Sequence, residues 1–274
     1  MADNIRESST PNYTMGFDDA QVQRLNQSTA AILAAYLLPH LQPGMRMLDI
    51  GCGPGSISVG LAAVVGPGEF YGIDMEASQV DLATAAAREA GLSNTRFQVA
   101  DALDLPFSDN HFDAVHCSSF LMHIPDTMAA LAEIKRVLKP GGVLGARDTM
   151  VEHDFYEPNI GDLYGISEMF SAVMTSNGGH PQMGRELRAR FTEAGFVDVE
   201  STGSVQSWGS PSGIAFLAND LLRYLDPPFA DTAISRGFAT REEIEGWRKA
   251  LEEWKDHPGA FAGRPYGQAV GRKP

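Results

Sequence analysis

The chain has 274 residues, 43% of them hydrophobic and 20% charged, which is ordinary for a globular protein and enough to bury a substantial core. Its formal net charge of −14 argues against general nucleic-acid binding, because phosphate would be repelled. Two cysteines exclude a disulfide framework and a cysteine metal site, and with no long apolar run the expectation is no membrane span, no secretion and a reduced, cytoplasmic protein.

Residues 1–16 are polar apart from Tyr13-Thr14-Met15-Gly16. A helix is expected after Asp18 or Asp19, because Val22, Leu25, Thr29, Ile32, Leu33, Tyr36 and Leu37 share a face at helical spacing, and Pro39 and Pro43-Gly44 end it. The pattern then predicts strand 45–50, helix 55–65, strand 69–74, helix 76–90 and strand 95–100, followed by strand 112–118, helix 126–138 and strand 142–149. Such alternation indicates a parallel sheet with helices on both faces. Asp126 suits the N-cap of the helix carrying Met128, Leu131, Ile134, Val137 and Leu138, and Pro140-Gly141-Gly142 ends it. Residues 150–183 read as an irregular insert, then helix 184–195 and strand 197–205 continue the core. Residues 207–257 read as a helical insert, in which Pro227-Pro228 breaks one helix and Thr240 with Glu243 makes a capping box for another. In that second helix Ile244, Trp247, Leu251 and Trp254 form one apolar stripe, expected to face a core rather than a ligand. Phe261 to Val270 reads as the final strand.

The chemistry concentrates at Met47-Leu48-Asp49-Ile50-Gly51-Cys52-Gly53-Pro54-Gly55, a strand running into three glycines and then a helix start. Glycine tolerates positive φ and lets a ligand approach the backbone, and the helix start adds free N–H groups. A plain structural turn is the competing reading, since glycine often marks turns. Glu69-Phe70-Tyr71-Gly72-Ile73-Asp74 shifts the balance. It is a second strand ending in an acid about twenty residues past the glycines, where a ribose-binding carboxylate is found in nucleotide-binding βαβ units.

Leu48–Gly55, Asp74, Val99-Ala100-Asp101-Ala102 and Phe112-Asp113-Ala114-Val115 resemble the successive motifs of class I S-adenosylmethionine-dependent methyltransferases. Leu105-Pro106-Phe107 before Phe112-Asp113, and Arg136-Val137-Leu138-Lys139-Pro140-Gly141-Gly142, are similar to the small-molecule branch that includes ubiquinone and menaquinone C-methyltransferases. The resemblance covers roughly residues 10–203 and implies an α/β, Rossmann-like fold. Its seven-stranded, mostly parallel sheet has helices on both faces, an antiparallel last strand slotted between its neighbours, and a helical lid. It implies one domain over 1–274: an N-terminal cover at 1–40, a cofactor core at 41–206, a lid at 207–258 and a final strand at 259–274. By the same resemblance Asp49, Gly51, Gly53 and Gly55 line the methionine portion of S-adenosylmethionine, and Asp74 takes the ribose hydroxyls. Met75 packs on the adenine, Asp101 and Ala102 address its edge, Cys117 and Ser118 lie near the sulfonium, and Tyr13 closes over the methionine end. For Asp49, Asp74 and Asp101 the alternative is capping or turn duty, for Cys117 simple packing, and for Tyr13 an aromatic anchor.

On the acceptor side His123 follows the fourth strand and precedes the Asp126 cap, so it is a candidate for taking a proton, with a hydrogen-bonded loop histidine as the alternative. Arg147 and Asp148 end the fifth strand at the same carboxyl edge and suit orienting a polar substrate group, or pairing with neighbours. His116 alternates into its strand as a structural residue, and Arg185, Arg188 and Arg190 read as a solvated helix face. Methyl transfer from an activated sulfonium needs neither a metal nor a triad, and no metal site is expected. Three readings stand: a methyltransferase of secondary metabolism acting on C, O or N of a small aromatic or hydrophobic acceptor; a nicotinamide-dependent oxidoreductase, disfavoured because Gly51-x-Gly53-x-Gly55 misses the dinucleotide spacing; and a non-methylating S-adenosylmethionine-binding protein. A homodimer is left open.

Overall fold

The computed structural model describes residues 29–274. Its strands are β1 (Met47–Ile50), β2 (Phe70–Asp74), β3 (Thr95–Val99), β4 (Phe112–Ser118), β5 (Leu138–Thr149), β6 (Phe155–Glu157), β7 (Val197–Trp208) and β8 (Phe261–Arg272). Its α-helices are α1 (Ala30–Leu33), α2 (Ser56–Val65), α3 (Ala77–Glu89), α4 (Thr127–Val137), α5 (Tyr164–Ser176), α6 (Met183–Glu193), α7 (Pro211–Leu222), α8 (Phe229–Ser235) and α9 (Arg241–Lys255).

β1 is buried along its whole length because it pairs in parallel with β2 on one side and β4 on the other. A strand covered on both faces reads as a continuous apolar run, which is what the Met47–Ile50 stretch shows apart from Asp49. The sheet order is β3-β2-β1-β4-β5-β8-β6, with β7 also paired to β8. β8 runs antiparallel to β5, β6 and β7, so the last strand does slot between its neighbours. One apolar cluster gathers Leu37, Met47, Leu61, Val65, Phe70 and Val143 beneath α1 and α2. A larger one runs from Leu48 and Val115 through Ile134, Phe191 and Leu217 to Trp254. Each fully buried Leu or Phe contributes roughly 1.5–3 kcal/mol.

The local signals predicted from sequence are present. Asp126 caps α4 by accepting the Ala129 N–H at 2.9 Å. Thr240 and Glu243 form both halves of the capping box of α9. Ile244, Trp247, Leu251 and Trp254 are buried together.

Other expectations need correction. The expected N-terminal helix lies outside the described residues up to position 28. Beyond it the chain forms only the four-residue α1, a turn and a 3₁₀ turn at Leu38–His40. Ile32, placed on its buried face, is 66% exposed, while Ala30, Leu33, Ala34 and Leu37 are buried. Residues 150–183 are ordered rather than irregular: a 3₁₀ turn at Val151–His153 redirects the chain after β5, and β6 and α5 follow. β6 pairs with the edge of β8 that β5 has vacated, which gives eight strands instead of seven. β5 begins at Leu138 and passes through Pro140-Gly141-Gly142, with an irregular register against β4 there, so α4 ends one residue early. β7 reaches Trp208 and β8 reaches Arg272, each past its expected end, because the two form one long antiparallel ladder.

Candidate active site

The carboxyl ends of β1, β2 and β4 open into a cavity of about 270 Å³. Gly51, with φ +69°, turns the chain out of β1, and its N–H donates to the Ile73 carbonyl at 2.9 Å. A Cβ there would stand 2.8 Å from the Phe120 ring, so only glycine keeps both the turn and the ring in place.

Asp74 ties this turn to β2. Its carboxylate accepts the Gly53 N–H and the Glu76 N–H, each at 3.0 Å. Burial pushes its pKa up, while these backbone N–H groups pull the other way. Two accepted bonds leave lone pairs for further donors, and Asp74 lines the cavity. Asp101 lines it too, its Oδ1 accepting the Leu103 N–H at 2.9 Å. Ala102 is buried beside it, and Met75, 45% exposed, stands at the same wall. Gly53, Ser118, His123 and Arg147 complete the predicted residues that reach the cavity. His123 sits on a 3₁₀ turn, Leu121–His123, immediately past β4.

Four predicted residues do not line the cavity. Asp49 is 3% exposed and its carboxylate is used twice, by the Ser58 hydroxyl at 2.5 Å and by His116 Nδ1 at 2.7 Å. Asp49 and His116 are direct register partners on β1 and β4, so their side chains emerge on one face and meet. His116 is thus the structural residue expected. Gly55, with φ +86°, caps α2, and a Cβ there would meet the Ala83 backbone of α3 at 2.8 Å. Its service is close helix packing rather than ligand contact. Cys117 is wholly buried, with its thiol pKa raised by burial, and packs as a small apolar side chain. Asp148 is wholly buried as well. Burial pushes its pKa up to about 7, opposed by N–H groups of Met122, Phe120 and Leu121. Asp148 therefore holds the segment that delivers His123 to the cavity. Tyr13 lies outside the described residues.

The sequence reading missed most of the far wall. Thr149, Phe170, Trp208, Phe216, Tyr224 and Tyr266 line it, from β5, α5, β7, α7, the turn after α7 and β8. Arg264 also lines the cavity, held by a bidentate pair with Asp154 at 2.7–3.1 Å. Trp208 at the end of a polar strand was the one available signal. Trp247 and Trp254 belong to the core, as expected. Among the described residues no group of three or more His, Cys, Asp or Glu side chains is placed to hold a metal ion. No helix there is long and apolar enough to cross a membrane.

A parallel sheet with a glycine turn after its central strand and an acid ending the next defines a Rossmann-like enzyme that binds a nucleoside cofactor. Residues 41–190 match the family model described as a methyltransferase domain. The chain is 32% identical over 271 residues to probable methyltransferase ltbC of Aspergillus luteorubrus, covering 92% of this chain and 94% of that one. It is 36% identical over 176 residues to a demethylmenaquinone methyltransferase of Geobacillus kaustophilus, covering 59% and 74% respectively. Its fold is similar to the crystal structure of the YcgJ protein of Bacillus subtilis, with a TM-score of 0.59, 20% identity and coverage of 88% and 97%. The chain belongs to the class I S-adenosylmethionine-dependent methyltransferases, and S-adenosylmethionine is its cofactor. The residues present suit that cofactor: a backbone wall at Gly51, where any side chain would strike Phe120, and two carboxylates, Asp74 and Asp101, on one cavity.

Proposed function

We propose that this methyltransferase acts on carbon, oxygen or nitrogen of a small aromatic or otherwise hydrophobic metabolite. The observation that carries the reading is the continuity of one cavity from the Gly51, Asp74 and Asp101 wall to a wall of Ile166, Phe170, Trp208, Phe216, Leu221 and Tyr224. An apolar wall with a few convergent polar groups suits an aromatic or hydrocarbon body.

S-adenosylmethionine, when bound, supplies a methyl group already activated on a sulfonium. Gly51 and Gly53 would flank its methionine portion, Asp74 its ribose hydroxyls, and Met75, Asp101 and Ala102 its adenine. Ser118 would stand near the sulfonium, with Tyr13 closing over the methionine end as the family resemblance implies. The protein's own work is orientation and exclusion of water, which can supply on the order of 7–11 kcal/mol in well-oriented reactions. His123 is our candidate for removing a proton from the acceptor, where one must leave, worth about 10²–10⁴-fold. Asp49 and Asp148 act through neighbours: one buttresses β1 against β4, the other positions the His123 turn. We propose further that 1–274 forms one domain, with 1–40 covering the cofactor mouth, 41–206 the core, 207–258 the lid and 259–274 the last strand. The larger apolar cluster joins residues of the core, the lid and the last strand, from Leu48 through Trp254 to Ala269, which supports reading those three parts as one domain.

The test is release of S-adenosylhomocysteine against a panel of phenols, quinols, aromatic acids and aromatic amines, with mass spectrometry of the product. Turnover confined to strongly polar acceptors such as amino acids would contradict the reading.

A further inference from the structure

Arg147 is 2% exposed, yet it lines the cavity. Its guanidinium carbon stands 3.3 Å from the centre of the Tyr266 ring. The stack follows from the sheet: Arg147 faces Gln268 and Thr149 faces Tyr266 across the β5–β8 ladder, so Arg147 and Tyr266 are diagonal neighbours on one face. No ion pair joins Arg147 to a carboxylate among the described residues, and its Nε there has no hydrogen-bond partner.

None of the neighbouring carboxylates forms an ion pair with Arg147 among the described residues, although Asp148, whose Oδ2 has no hydrogen-bond partner there, favours the guanidinium charge through space. Asp148 next in sequence is turned to the Met122 N–H. Asp220, also at the cavity, stands 3.6 Å from Arg223. Asp154 is taken bidentately by Arg264. The Tyr36 and Tyr266 hydroxyls contribute a field around Arg147, but Tyr36 is held neutral by burial and brings no compensating charge. A buried cation without a direct ion pair is costly, and an aromatic face offsets only part of that cost. Arg147 lines the cavity, and the fork of N–H donors on a guanidinium matches the two oxygens of a carboxylate.

We propose that Arg147 selects the acceptor by pairing with a carboxylate on it, so that the preferred substrate is a hydrophobic or aromatic carboxylic acid. This rests on the reading of the apolar far wall as the acceptor site, and it narrows that reading from hydrophobic metabolites in general to anionic ones.

The experiment is calorimetric titration of the S-adenosylhomocysteine-saturated protein with naphthalene-2-carboxylate and with naphthalene-2-carboxamide, two planar probes of nearly equal shape. The expected result is a preference of about tenfold or more for the carboxylate, the scale of a hydrogen bond to a charged group. Arg147→Gln should erase that preference, Arg147→Lys should restore part of it, and neither should change the affinity for S-adenosylhomocysteine. Equal affinity for the two probes in the unaltered protein, no detectable binding of the carboxylate, or a preference that survives Arg147→Gln overturns the proposal. So does loss of S-adenosylhomocysteine affinity in Arg147→Gln, which would assign the guanidinium to the cofactor. The wild-type comparison stands if either variant fails to fold. The cofactor reading fails separately, on an unaltered protein that does not bind S-adenosylhomocysteine.

Discussion

Asp74 accepts the backbone N–H of Gly53 at 3.0 Å, so the acid that ends β2 also fixes the glycine turn that ends β1. One side chain thereby joins the two halves of the cofactor wall. Asp74→Ala removes that acceptor from both the Gly53 and Glu76 amides and from the ribose position. The expected outcome is a loss of at least about tenfold in S-adenosylhomocysteine affinity, since hydrogen bonds to charged groups are worth about 1.5–3 kcal/mol. Fluorescence or calorimetric titration checks it.

Gly51→Ala tests the close approach. The new Cβ meets the Phe120 ring at 2.8 Å, at a φ of +69°. A left-handed conformation costs an ordinary residue about 1–2 kcal/mol, and the ring must move at the cavity wall. Both a lower melting temperature and weaker cofactor binding are expected, measured by thermal melts with and without S-adenosylhomocysteine.

Asp49→Ala should separate support from contact. It strands His116 Nδ1 and the Ser58 hydroxyl in the core, at about 1–3 kcal/mol for each buried group left without its partner. Chemical denaturation should show a large loss of stability, with the surviving folded protein still binding S-adenosylhomocysteine. Unchanged stability with abolished binding would make Asp49 a cofactor ligand after all.

Asp148 gives a pH dependence with a definite sign. Its folded pKa is pushed up to about 7 by burial, against about 3.9 for an unfolded aspartate. The folded state therefore keeps a proton that the unfolded chain has released between those values. The stability this group contributes is full below about pH 4 and is lost as pH rises through about 7. Asp74, also shifted upward, acts in the same direction. Unfolding free energy should fall from pH 5.5 to pH 8, and Asp148→Asn should flatten most of that slope. An unaltered slope in the variant would contradict the assignment.

The cofactor wall was legible in sequence because it is local. A strand, a glycine turn, a helix and a second strand ending in Asp74 occupy one βαβ unit, and spacing along the chain becomes spacing in space. Asp49 shows where that reasoning stops, because an acid in an apolar strand looks like a ligand until its register partner is known. His116 supplies the partner from a strand 67 residues on. The far wall was harder still: Phe170, Trp208, Phe216 and Tyr266 come from separate elements that only the finished sheet and its insert bring together. Residues 150–183 read as irregular because β6 has three residues and exists only by pairing with β8. Arg147 was visible as a residue at a strand end, but its stack on Tyr266 depends on the β5–β8 register.

The most direct measurement is calorimetric titration of the unaltered protein and of Asp74→Ala with S-adenosylhomocysteine. A glycine turn braced by Asp74 predicts saturable one-to-one binding to the first and strongly weakened binding to the second. Equal binding by both, or none by a folded unaltered protein, would contradict it.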